Sequence, residues 1–117
     1  MNTLKVTLFA AAIAAATSLA AAPTDAQRLY EGKCAKCHGI NGDGQGKVGK
    51  SLDPKPTDFT SVKWQSDMKD EDVVEAITNG SKSTKLKIGK KMTEYGSKLS
   101  KEQVQGLVTV IRGFKAK

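Results

Sequence analysis

The chain is 117 residues long, the length of one small domain, and carries a formal net charge of +7. A multidomain enzyme is excluded by size. Nucleic acid is excluded as the expected partner, because the lysines are not interleaved with aromatics on which bases could stack.

The start of the chain reads as an export signal. Lys5 supplies a minimal positive region, residues 6–19 are alanine-rich and apolar, and Ser18-Leu19-Ala20 offers small residues where a signal peptidase would inspect them. Cleavage is expected after Ala20, dividing the chain into a signal peptide (1–20) and one domain (21–117). The apolar run is barely long enough to span hydrocarbon, so no integral membrane segment is expected after processing. The expected compartment is the periplasm. Tyr30, Phe59, Trp64, Tyr95 and Phe114 are the only aromatics after the signal, so the domain has little from which to build a core unless a bound apolar group supplies the bulk.

Thr24-Asp25-Ala26-Gln27 has the form of a capping box, with Thr24 as N-cap and Gln27 reaching back. A helix is predicted from there to about His38, carrying Cys34-Ala35-Lys36-Cys37-His38. This C-x-x-C-H pattern is that of covalent haem attachment. Two thiols add across the two vinyl groups and the imidazole binds the iron. Side chains three and four apart share a helix face, so Cys34, Cys37 and His38 can act together. They are the only cysteines and the only histidine in the chain. A thioredoxin-like thiol pair would belong beside a βαβ pattern, which is absent. A structural zinc would need a fourth ligand such as Asp43.

Residues 39–50 turn to glycine, with Gly39, Gly42, Gly44, Gly46 and Gly49. No strand precedes this loop and no helix opens after it, so a nucleotide reading is weak. A loop wrapping a flat cofactor accounts better for the small residues. Pro54 and Pro56 hold the next stretch extended or turning, and Phe59 and Trp64 are expected to face inward. Asp70-Glu71-Asp72 opens a second helix at its dipole-positive end; Val73, Val74 and Ile77 form its apolar face, and Asn79-Gly80 ends it. Residues 81–91 are a loop with Lys82, Lys85, Lys87, Lys90 and Lys91, followed by Met92 and Tyr95. The last helix opens at Ser100 capped against Gln103, with Leu99 placed to staple onto Val104. Its stripe of Val104, Leu107, Val108, Ile111 and Phe114 is expected to pack on the first helix. No strand signal and no internal repeat occurs, so the fold class is all-α.

An iron held by His38 keeps one axial position. Methionine, lysine or the mature N-terminus could fill it, and Met68 and Met92 are the methionines left after processing. From about Thr24 to Phe114 the chain resembles the small single-haem class I cytochromes c of bacteria. The resemblance rests on Tyr30, on Cys34-Ala35-Lys36-Cys37-His38-Gly39 with Asn41-Gly42-Asp43-Gly44, on Pro56-Thr57-Asp58-Phe59-Thr60, on residues 70–80, and on Met92 through Ser100. It implies three to four helices around one covalent haem c, with the terminal helices crossing. It also assigns the distal iron ligand to Met92 and the proximal one to His38. Three positions depart from the family: Ala26 for the usual glycine at the helix crossing, Thr93 for the proline after the distal methionine, and Lys50 for the proline after Gly49. In the resemblance the backbone carbonyl of Lys50 accepts the His38 Nδ1 proton.

A soft thioether opposite an imidazole favours the ferrous state, and a filled sixth site leaves no vacancy for substrate. This implies a one-electron carrier and no enzyme. Lysines near the ligand loop imply redox partner proteins with acidic docking surfaces, and the domain is expected to be a monomer. The competing readings are a haem enzyme or sensor with a labile sixth site, and a haem-free thiol oxidoreductase.

Overall fold

A computed structural model describes residues 24–114. The predicted signal peptide, residues 1–20, lies outside them. Thr24 caps α1 (Asp25–Lys33) as its sequence requires: the Gln27 amide donates to Thr24 Oγ1 at 3.1 Å, and the Thr24 amide donates to Gln27 Oε1 at 2.7 Å. The helix does not run unbroken to His38. It stops at Cys34, whose φ of −114° is outside the helical range, and a fresh turn, α2 (Ala35–His38), follows. The Cys34 carbonyl accepts from both the Cys37 and His38 amides, at 3.2 and 2.9 Å. Those two bonds keep the three chemistry-bearing residues on one turn despite the break.

The glycine loop is shaped by the backbone of that turn. Gly44, Gly46 and Val48 donate their amides to the carbonyls of His38, Cys37 and Lys36 at 2.7, 3.2 and 2.9 Å. The loop thus satisfies the carbonyls left open at the end of α2. A Cβ on Gly49, in the 3₁₀ turn Gly49–Ser51, would lie 2.7 Å from the Cys37 carbonyl carbon. Gly44, Gly46 and Gly49 thus stand where protein backbone crowds in, and Gly42 stands where the Phe114 ring does.

A six-residue helix that the sequence analysis did not predict, α3 (Val62–Asp67), is capped by Ser61, whose Oγ accepts from the Trp64 amide at 3.2 Å. Then α4 (Asp70–Asn79) begins at the predicted acidic triplet, with the Asp72 carboxylate accepting from the Lys69 amide at 3.2 Å. Gly80 ends it at φ +49°, and a 3₁₀ turn, Gly80–Lys82, follows. The last helix, α5 (Lys101–Arg112), opens with the predicted Ser100–Gln103 box. No strand occurs among the described residues; the fold is all-α.

The core consists of Tyr30, Phe59, Val73, Ile77, Val104, Leu107, Val108 and Ile111. Its centre is the predicted stripe of α5, which packs on α1 and α4. Where α5 crosses α1, a Cβ on Gly106 would lie 2.9 Å from the Cβ of Ala26. The small residue needed at the crossing thus sits on α5, which is what allows alanine on α1.

Two side chains tie the end of α5 to α3. Gln65 Nε2 donates to the carbonyls of Phe59 and Ile111 at 2.8 and 2.9 Å. The Arg112 guanidinium donates to Gln65 Oε1 at 3.1 Å and to the Met68 carbonyl, pairs with Asp70 at 2.9 Å, and lies over the Trp64 ring. Met68 thus contributes its carbonyl to a structural clamp.

Candidate functional site

Cys34 and Cys37 are free thiols, both half-buried. Burial, with Cys37 beside it, pushes the Cys34 thiol up to about 11. His38 Nδ1 lies 3.1 Å from the carbonyl oxygen of Thr57, so the ring donates there and keeps Nε2 as its free nitrogen. Burial lowers the imidazole's proton affinity, opposed by the Thr57 carbonyl. Burial prevails and leaves a neutral ring, and the Thr57 bond fixes its tautomer, giving the form that binds a metal.

The acceptor for Nδ1 is thus Thr57, not Lys50. The Lys50 amide is turned back to the Gly46 carbonyl at 3.0 Å within the loop's own winding. The stretch after Pro56 runs past the imidazole instead.

Met92 is half-buried in the segment that joins the lysine loop to α5. Its carbonyl accepts from the Ser81 amide at 3.0 Å, and its amide donates to Gly89 at 3.3 Å. A Cβ on Gly80 would lie 2.7 Å from the Met92 carbonyl oxygen. That close approach, at a positive φ, is why glycine stands at position 80. Further along, the Tyr95 and Gly96 amides donate to Ile77 and Thr78 of α4, both at 3.0 Å. Tyr95 Oη donates to the Lys33 carbonyl at 3.1 Å, one residue before Cys34. Burial, then the Cys34 thiol, raises the Tyr95 phenol above its ordinary value. The Met92 segment and the cysteine turn are therefore fastened to one frame: α4 holds the segment, and Tyr95 joins it to the end of α1.

Two of the five loop lysines are engaged. Lys82 pairs with Glu94 at 2.8 Å and Lys85 with Asp72 at 3.4 Å. Lys87, Lys90 and Lys91 are exposed and form no ion pair among the described residues. Sequence alone did not distinguish the two groups, because the acids come from α4 and from the Met92 segment.

An all-helical chain closed by its crossing terminal helices, with two thiols and a neutral imidazole on one turn, has the features of a small class I cytochrome c. The chain belongs to that class: residues 21–110 match the model of the family cytochrome c oxidase, cbb3-type, subunit III. Among solved structures it is similar to the KustC0563 c-type cytochrome, with 32% identity over 79% of this chain and 99% of that one, at a TM-score of 0.64. A single-residue mutant of that cytochrome matches at a TM-score of 0.63. A chain of the Kuenenia stuttgartiensis reducing HAO-like protein complex matches at 27% identity and a TM-score of 0.60, over 80% of this chain and 43% of that one. No curated protein matches.

Membership carries with it a covalently bound haem c and its iron. The residues present fit such a group. The donor set is two free thiols and an imidazole whose outer nitrogen is uncommitted. Leu52, Pro56, Leu86, Ile88 and Met92 are apolar and half-covered, yet lie outside the protein's own core. They are the kind of surface a flat apolar group would complete. No described helix is long and apolar enough to cross a membrane.

Proposed function

We propose that this cytochrome is a periplasmic one-electron carrier with a single haem, exported by residues 1–20 and acting as a monomer. Cys34 and Cys37 form the thioether links, His38 is the proximal iron ligand and Met92 the distal one. The haem supplies an iron that alternates between ferric and ferrous. The protein's part is to keep two ligands in place through both states, so that little moves when an electron passes. The observation that carries this is the pairing of a fixed imidazole with a braced methionine segment: Nδ1 on Thr57, and Met92 held through Ser81, Gly89 and the Gly80 approach. A filled sixth site means no substrate chemistry. Docking falls to Lys87, Lys90 and Lys91, whose charges are available to steer an acidic redox partner.

The reading with a labile sixth site, a haem enzyme or sensor, draws on Thr93, which leaves the distal loop without the φ constraint of proline. The two differ in one measurement. The oxidised holoprotein should show the weak far-red sulfur-to-iron band. Met92→Ala should abolish that band while Met68→Ala leaves it. A band that survives Met92→Ala, or rapid carbon monoxide binding by the native ferrous protein, would overturn the carrier assignment.

A further inference from the structure

The segment after Pro56 grips His38 twice. Thr57 takes its edge through the Nδ1 hydrogen bond at 3.1 Å. Two residues on, Phe59 takes its face: the rings stack with centroids 4.4 Å apart and planes 17° from parallel. Phe59 cannot easily drift. It is 5% exposed, its amide donates to the Gly42 carbonyl at 2.7 Å, and its carbonyl accepts from Gln65 at 2.8 Å. Its ring is backed by Trp64 at 5.0 Å and Phe114 at 6.3 Å. Edge and face contacts together fix the imidazole's rotation about its own side-chain bond, which the hydrogen bond alone would leave loose.

We propose that Phe59 is a positioning residue for His38: by stacking on the imidazole it sets the plane of the proximal ligand and biases the iron towards the ferric state. The bias follows from the ring's negative face. An imidazole bound to ferric iron carries more positive charge than one bound to ferrous iron, and an electron-rich face beside it favours the former. The proposal rests on His38 being the iron ligand.

The test uses the holoprotein. In the reduced wild type, nuclear Overhauser contacts are expected between the Phe59 ring protons and the His38 side chain. Phe59→Leu keeps an apolar side chain and removes the stack. It should raise the reduction equilibrium constant about threefold, about 30 mV for one electron, and change the ferric low-spin g values. Trp64→Leu, which strips a ring from Phe59's far neighbour, should lower Tm and leave potential and g values in place. Phe59→Met, a flexible filler of similar bulk, serves if the leucine variant does not accumulate with haem. Missing contacts, an unmoved potential in the Phe59 variants, or an equal shift in Trp64→Leu would overturn the proposal. If the wild type is not low-spin with a histidine ligand, the site reading fails first, and the two failures are distinct.

Discussion

Replacing Gly80 with alanine measures how firmly the Met92 segment is held. Gly80 sits at φ +49° and ψ −134°, a conformation that costs a residue with a side chain about 1–3 kcal/mol. The added methyl would lie 2.7 Å from both the Met92 carbonyl oxygen and the Thr93 carbonyl carbon, so one backbone must retreat. Retreat strains the Ser81–Met92 hydrogen bond at 3.0 Å, an interaction of about 1 kcal/mol. Restricting the unfolded chain returns about 0.4–1 kcal/mol. The net is a destabilisation of about 1–4 kcal/mol. At roughly 4–8 °C per kcal/mol for a domain this small, Tm should fall by about 5–30 °C. Calorimetry of the holoprotein reads the change, and the far-red band reads the sulfur at the same time. Gly89→Ala is the control, since its Cβ would meet only Pro54, at 3.7 Å and 3.9 Å, and Tm should stay within a few degrees. A Gly80→Ala protein with wild-type Tm and an unchanged band would refute the reasoning.

Tyr30 predicts an alkaline limit to stability. It is 1% exposed, and burial, followed by Cys34 and Asp43, raises its phenol above the ordinary 10.0. The unfolded chain ionises first, so this contribution is intact below pH 10 and lost as pH climbs towards the folded value. Tyr30→Phe leaves the Gly39 carbonyl without its 2.8 Å donor and should cost about 1–2 kcal/mol near neutrality. The gap to wild type should narrow above pH 10 in denaturant titrations; a constant gap would count against it. On the surface, neutralising Lys87, Lys90 and Lys91 to glutamine should slow electron transfer to an acidic partner at low ionic strength and flatten its salt dependence. Neutralising the paired Lys82 and Lys85 should do less, and equal effects in stopped-flow traces would remove the assignment.

What could be read in advance was local. Both capping boxes, at Thr24 and Ser100, are contacts between residues three apart, so sequence spacing determines them. The cysteine–histidine turn is equally local, and the stripe of α5 announces itself by period. The parts that were missed join distant segments. The His38 acceptor is a backbone carbonyl nineteen residues away, and any residue type could have carried it. The Ala26 departure makes sense only beside Gly106, eighty positions on. The short α3 owes its place to Gln65 reaching the end of α5 and to Arg112 reaching back from it. Its six residues hold too little periodic signal to stand out from a loop.

The final helix does more than fill the interior. Phe114 lies 5.0 Å from the Tyr30 ring and 6.3 Å from that of Phe59, and Gln65 bonds the Ile111 carbonyl. A truncated chain lacking residues 100–114 would therefore carry Cys34, Cys37 and His38 while Phe59, which stacks on His38, lost the Phe114 ring behind it.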